Sequence, residues 1–188
     1  MRPFIGLAIA LLFSALPLAA QEAPPPSAEQ VLMEAAFNGD LEEVQRLVSA
    51  GAVVDAADPD QRTSLMWAAF NGHTAVVDFL LEQGAKLNAK DSNGRNALMY
   101  ASSGPFAETV DLLLTKGAEV NVQGTLEGFT ALMTAAAEGQ VDVVRLLLAY
   151  GADPSLTDQD GDTAASFARQ NDHSEVVSLL ESPPSPSQ

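Results

Sequence analysis

The chain has 188 residues, with 25 Asp and Glu against 9 Lys and Arg, and a net charge of −16 at pH 7. Such a charge repels phosphate backbones and anionic lipid head groups, which argues against nucleic acid and membrane surfaces as partners. The sequence has no cysteine, which excludes disulfides, thiolate metal sites and a cysteine nucleophile.

The N-terminal segment 1–20 has the pattern of a secretory signal peptide. Arg2 is its only charge, the segment 4–16 is an apolar run, and Ala20 stands at the expected cleavage site. The run is too short for a membrane-spanning helix, which needs about 20 residues. We therefore expect cleavage after Ala20 and export. The style of the segment is typical of bacterial signals, so we place the product in the periplasm, with eukaryotic secretion as the alternative. Residues 21–27 are a proline-rich spacer, and residues 182–188 are a Ser/Pro-rich tail expected to be disordered.

The intervening sequence repeats with a nearly constant period. Gly51, Gly84 and Gly117 recur at equal intervals, and Gly151 follows at an interval that is one position longer. The residues of a unit predict a turn, a short helix, and a second helix that ends at glycine. Thr63, Thr130 and Thr163 stand where the first helix is expected to begin, and their hydroxyls can cap it. Units of this size bury an apolar face only by stacking, so the pattern predicts an all-α repeat solenoid.

Two segments carry a resemblance to a known family. Residues 63–69 read Thr-Ser-Leu-Met-Trp-Ala-Ala and residues 130–136 read Thr-Ala-Leu-Met-Thr-Ala-Ala. Both resemble the Thr-Pro-Leu-His-x-Ala-Ala motif of the ankyrin repeat. The resemblance implies two helices and a hairpin-like turn, or finger, in each unit. It covers residues 28–181 and gives about five units, at 28–57, 58–90, 91–123, 124–157 and 158–181, of which the first and last look like caps.

The sequence departs from the family pattern in two places. Methionine replaces the motif histidine in four units, so we expect apolar packing where the family has hydrogen bonds; these residues are Met33, Met66, Met99 and Met133. In the third unit Gly104-Pro105 replaces the usual Asn-Gly turn. Proline fits the first turn of a helix, so we expect a changed loop and an intact helix there. One extra residue falls in the finger between Val122 and Gly128.

Residues that suggest catalysis or metal binding have simpler explanations. His73 and His173 lie three units apart, and both follow a mid-unit turn, where the family often has histidine. The acidic residues of the segment 158–162 do not match the ligand spacing of a calcium loop and fit an ordinary turn. We therefore predict no catalytic residue, metal or cofactor, and an enzyme is the least supported function.

The family resemblance also implies a binding surface, because ankyrin-like proteins generally bind through the finger tips and the first-helix face. Aromatic residues and arginine, which dominate binding hot spots, occur on that surface. We expect Phe70 and Phe129 to be exposed there, whereas Trp67 and Tyr100 either are exposed or pack between helices. The predicted protein-binding groove comprises Phe37, Asp60, Arg62, Trp67, Phe70, Asn71, Ser92, Asn93, Arg95, Tyr100, Ser103, Glu127, Phe129, Thr134 and Glu138. Gln159, Asp160 and Asp162 extend the finger tips toward an acidic C-terminal end.

The resemblance thus implies a non-enzymatic, monomeric module that binds another protein. Its acidic charge either serves solubility or attracts a basic partner. One family analogy is an ankyrin-like protein that supports a periplasmic catalase against peroxide. The alternative is an immunity or inhibitor protein that blocks a cell-wall hydrolase or a toxin.

Overall fold

The computed structural model describes residues 25–181, which form five consecutive pairs of helices. Each pair lies within one repeat unit, numbered one to five in chain order. The signal peptide expected over residues 1–20 and the tail at 182–188 lie outside the described residues. The helices are α1 (Ala28–Asn38), α2 (Leu41–Ser49), α3 (Ser64–Phe70), α4 (Thr74–Glu82), α5 (Ala97–Ala101), α6 (Ala107–Thr115), α7 (Ala131–Ala137), α8 (Val141–Ala149), α9 (Ala164–Gln170) and α10 (Ser174–Glu181).

Side-chain caps start the first helices where the sequence predicts. The hydroxyls of Thr63 and Thr130 accept hydrogen bonds from the backbone amides of Met66 and Met133. Asn96 caps α5 in the same way. Each cap satisfies an amide that has no partner inside the helix, and therefore fixes where the helix begins.

The helices stack in two rows. The first helices α1, α3, α5, α7 and α9 pack on one another in sequence, and the second helices form a parallel row behind them. Leu65, Leu98 and Leu132 are buried in the core, as are Met66, Met99 and Met133. The apolar packing predicted for these three methionines is therefore confirmed, while Met33, in the terminal unit, is half-buried. Among the described helices, none is long and apolar enough to cross a membrane.

Unit three differs from the other units in its first helix and its middle turn. Helix α5 has five residues, whereas α3 and α7 have seven. Helix α6 keeps its nine residues, so the expected changed loop and intact second helix are confirmed. The predicted place of proline is wrong: Pro105 precedes the N-cap residue Phe106 and does not enter the first turn. The shortened α5 was also not predicted.

An aromatic ring fills the junction between units at each mid-unit turn of units two, three and five. His73 Nε2 donates to the Phe37 carbonyl at 2.9 Å, and His173 Nε2 donates to the Ala137 carbonyl at 3.0 Å. Phe106 stands one repeat period after His73 and occupies the equivalent place. Its ring lies so close to Gly72 that a Cβ on that glycine would overlap it. Unit three therefore joins unit two by ring packing instead of a histidine hydrogen bond.

The fingers form a second line of contacts beside the helices. They comprise residues 58–62, 91–95, 124–129 and 158–162, and a backbone hydrogen bond joins the first and last residue of each. Neighbouring fingers are also joined, through Ser92 N to Asp60 O (2.9 Å), Thr125 N to Asn93 O (2.7 Å) and Gln159 N to Glu127 O (3.0 Å). The extra residue of unit four lies in the finger 124–129, which keeps hydrogen bonds to both neighbours.

Candidate functional site

Four aromatic side chains form a continuous row across units one to three. Adjacent rings meet edge to face: Phe37 and Trp67 at 5.6 Å between centroids, Trp67 and Phe70 at 6.3 Å, and Phe70 and Tyr100 at 6.1 Å. This geometry is favourable for aromatic pairs and holds each ring in place. Phe37 and Phe70 are 40% and 38% exposed, large fractions for phenylalanine, whereas Trp67 and Tyr100 are half-buried. The aromatic row therefore presents apolar surface to solvent at its two phenylalanines.

Two arginines stack on the half-buried rings of this row. The guanidinium carbon of Arg62 lies 4.5 Å from the Trp67 ring centroid, and that of Arg95 lies 5.0 Å from the Tyr100 centroid. The Nε atom of Arg62 donates to Asp58 at 2.7 Å. At the equivalent place in unit three, Arg95 Nε donates to Asp91 at 3.0 Å. Units two and three thus repeat one Asp–Arg–aromatic arrangement, which fixes both arginines at the groove.

Tyr100 and Asp91 form the most buried polar contact of the site. The Tyr100 hydroxyl donates to Asp91 Oδ2 at 2.7 Å, and the Asp91 side chain is only 1% exposed. Burial first, and the hydrogen bond to Asp91 second, raise the pKa of Tyr100 to about 12. Burial also raises the pKa of Asp91, but hydrogen bonds from Tyr100 and Arg95 outweigh it and hold that pKa below its ordinary value.

A cleft of about 300 Å³ opens where the aromatic row ends, between units three and four. Its walls are mainly apolar, and Arg95 and Glu127 are the charged side chains among them. Leu126, at the tip of the inserted finger, is 63% exposed. The lining residues are Phe70, Asn93, Arg95, Met99, Tyr100, Ser103, Gly124, Leu126, Glu127, Phe129 and Thr134.

The structure brings eight of the fifteen predicted groove residues into this cleft and adds three that were not predicted. Phe37, Arg62 and Trp67 lie along the row that leads to it. Met99, Gly124 and Leu126 were missed. The signal for Leu126 was available, because a large apolar residue in an inserted finger is unusual in a segment that otherwise faces solvent.

The remaining predicted residues have varied surroundings. Asp60 and Ser92 lie exposed on the finger tips, and Glu138 is exposed after α7. Asn71 is half-buried and donates from Nδ2 to the Phe37 carbonyl at 2.7 Å, so it joins units one and two. The expectation that Phe129 is exposed is wrong: it is half-buried, because its ring packs against Phe167 at 5.0 Å between centroids.

The sequence comparisons agree with this architecture. The family model for ankyrin repeats (3 copies) matches residues 32–124 and 106–185, which together make up most of the chain. The chain belongs to the ankyrin-repeat family. Ankyrin-repeat domains typically act as non-enzymatic protein-interaction modules. Among the described residues of this ankyrin-repeat chain, no group of three or more His, Asp or Glu side chains is arranged to hold a metal ion.

Individual ankyrin-repeat relatives match over shorter stretches. The E3 ubiquitin-protein ligase hecd-1 of Caenorhabditis elegans is 49% identical over 57 residues, 29% of this chain and 2% of its own length. Ankyrin repeat family A protein 2 of Mus musculus is 55% identical over 42 residues, 22% of this chain and 14% of its own length. The ARF GTPase-activating protein GIT2 of Mus musculus is 41% identical over 54 residues, 29% of this chain and 8% of its own length. The ankyrin-repeat chain thus spans only a small part of these relatives.

The raised pKa of Tyr100 predicts a distinctive alkaline titration. In a Tyr150→Phe variant Tyr100 is the one remaining tyrosine, and we expect its ultraviolet absorbance to change with a midpoint near pH 12. An unfolded tyrosine ionises near pH 10. The neutral hydroxyl therefore stabilises the fold fully below about pH 10, and this contribution is lost as the pH rises toward 12. A midpoint near pH 10, with the circular dichroism still native, contradicts the buried Tyr100–Asp91 contact.

Proposed function

We propose that this ankyrin-repeat protein is an exported binding module that holds a partner protein along the first-helix face of units one to four. The observation that carries the proposal is the aromatic row with its two exposed phenylalanines, which leads into an apolar cleft and is flanked by fixed arginines. Exposed aromatic residues and arginine supply much of the binding energy in protein interfaces. Because their side chains are already positioned, little conformational entropy is lost on binding.

The charge of the groove supports a basic partner. Arg62 and Arg95 are both ion-paired with aspartates, whereas Glu127, Asp160 and Asp162 have no ion pair within the described part of the chain. Together with the net charge of −16, this leaves a negative field that speeds encounter with a positively charged protein. We propose that the module acts as a monomer.

Two classes of partner fit this proposal. A periplasmic catalase, supported in defence against peroxide, is suggested by family analogy alone. A basic cell-wall hydrolase or toxin, blocked by the groove, is the alternative that the negative field favours. Affinity capture from the periplasm followed by mass spectrometry separates the two classes by the identity of the bound protein.

The groove proposal is tested by a paired substitution. Phe37→Ala combined with Phe70→Ala removes the two exposed members of the row, and we expect it to weaken the captured complex by roughly ten-fold or more while the fold is kept. Val53→Ala is the control, because Val53 is 58% exposed and lies outside the row and the cleft. Capture that is equally strong with the paired variant and with the control rules out this face.

Export rests on the pattern of residues 1–20 and is tested separately. We expect the protein purified from its native host to begin at Gln21, as read by N-terminal sequencing, and to fractionate outside the cytoplasm. A native protein that begins at Met1 in the cytoplasmic fraction contradicts the export proposal and leaves the groove proposal standing.

A further inference from the structure

The two equivalent arginines of the groove differ in how many of their donors are already occupied. Arg62 uses Nε on Asp58 and a terminal nitrogen on Asp60, at 2.8 Å. Arg95 uses only Nε, on Asp91, and no other acceptor within the described residues binds its terminal nitrogens. Its side chain is nonetheless held in place by the stack on Tyr100. Arg95 therefore presents fixed, unused donors to the cleft that it lines.

The cleft beside Arg95 has the size and lining for one apolar side chain. Phe70, Met99 and Phe129 form its walls, and Leu126 projects from the inserted finger at its rim. The finger is fixed by Thr125 N to Asn93 O at 2.7 Å and Gln159 N to Glu127 O at 3.0 Å. A concave, mainly apolar site with a few fixed polar groups at its edge is typical of a binding site.

We propose that this cleft is the anchor subsite of the groove: it takes one large apolar side chain of an extended partner segment, and Arg95 binds a carboxylate that flanks this side chain. The inference rests on the proposed function and names the ligand chemistry of that site. The aromatic row favours an extended segment, because it runs across three successive units and ends in the cleft. Terminal guanidinium nitrogens match a carboxylate in geometry and charge.

The anchor subsite is compatible with a partner that is basic overall. One carboxylate next to the apolar residue meets Arg95, while basic residues elsewhere on the partner meet the unpaired acidic side chains of the finger tips. The selected segment therefore carries an Asp or Glu adjacent to Leu, Ile, Met or Phe, without a general excess of acidic residues.

The experiment uses a phage library of random linear peptides, each about a dozen amino acids long, selected on the purified protein. We expect the enriched peptides to share an apolar residue beside Asp or Glu. Calorimetry with one enriched peptide then compares matched variants: Leu126→Ser with Val53→Ser, and Arg95→Gln with Arg145→Gln. Arg145 is an exposed arginine of α8 that lies outside the groove. We expect Leu126→Ser and Arg95→Gln to weaken binding roughly ten-fold or more, and each control variant to change it by less than about two-fold.

A double-mutant cycle tests the carboxylate directly. Changing the Asp or Glu of the peptide to its amide is expected to weaken binding to the unchanged protein, and to have no further effect on Arg95→Gln. Since Leu126 is exposed, Leu126→Ser keeps the fold and remains informative even where Arg95→Gln lowers stability. Additive effects in the cycle overturn the role of Arg95.

Two further outcomes overturn the inference and spare the proposed function. Peptides whose affinity is unchanged by Leu126→Ser but is lost with the Phe37→Ala/Phe70→Ala variant bind the groove without using the anchor subsite. If no peptide is enriched, the cleft does not take a linear segment, and capture of a folded protein through the same face still supports the groove proposal.

Discussion

A Gly72→Ala variant is expected to lose about 2–5 kcal/mol of its free energy of unfolding, from two causes that add. Gly72 has a φ of 69°, in the left-handed region that is costly for a residue with a Cβ. That Cβ would also overlap the ring of Phe106, which packs unit three onto unit two. The overlapped atoms include Cγ at the base of the half-buried ring, so the ring and the junction around it must shift to relieve the overlap. Urea denaturation followed by circular dichroism measures the loss.

Gly84→Ala is the matched control that separates the overlap with Phe106 from the backbone cost. Gly84 has a φ of 86°, but a Cβ there meets no atom within 4 Å. This variant should therefore show the backbone cost alone, about 1–2 kcal/mol. In a Phe106→Ala background the difference between the two glycine substitutions is expected to shrink. Equal losses for Gly72→Ala and Gly84→Ala in the unchanged background contradict the described contact with Phe106.

Leu80→Ala is expected to lower the free energy of unfolding by about 2–5 kcal/mol. Leu80 is fully buried, in α4 of unit two. Truncation removes its transfer free energy and leaves a cavity that a stack of rigid helices closes poorly. The loss is read as a lower midpoint in thermal and urea unfolding.

The control for Leu80→Ala is Leu126→Ala, which truncates a leucine that is exposed. A change within about 0.5 kcal/mol is expected there, because the exposed leucine is not part of the packed core. An unchanged melting temperature for Leu80→Ala defeats the assignment of α4 to the core and, with it, the register of the repeat.

The features that recur in every unit were predictable from sequence. The nearly constant period places Leu and Met at equivalent positions, and the capping Thr residues mark the helix starts, because each interaction is local or repeats between neighbours. The family, the helix pairs and most groove residues follow from this regularity. The aromatic row was also predictable residue by residue, since equivalent positions of stacked units lie side by side.

What could not be predicted lies where units differ from one another. Phe129 was expected to be exposed, but Phe167 of the next unit packs on it, a contact that no local pattern encodes. The shortened α5 precedes the one mid-unit turn with Gly104-Pro105, where Phe106 packs against Gly72 of the preceding unit. The cleft depends on the conformation of the inserted finger, which is set by hydrogen bonds to fingers on both sides.

The hydrogen bonds between neighbouring fingers also allow the opening of each joint, the contact between two successive units, to be measured separately. The amides of Ser92, Thr125 and Gln159 each donate across a different joint, between units two and three, three and four, and four and five. An amide exchanges its proton for deuterium only when its own bond opens, so three signals in one spectrum report the opening of three joints. A ligand that spans a joint slows exchange at that amide first, and so reveals its own position without a structure of the complex.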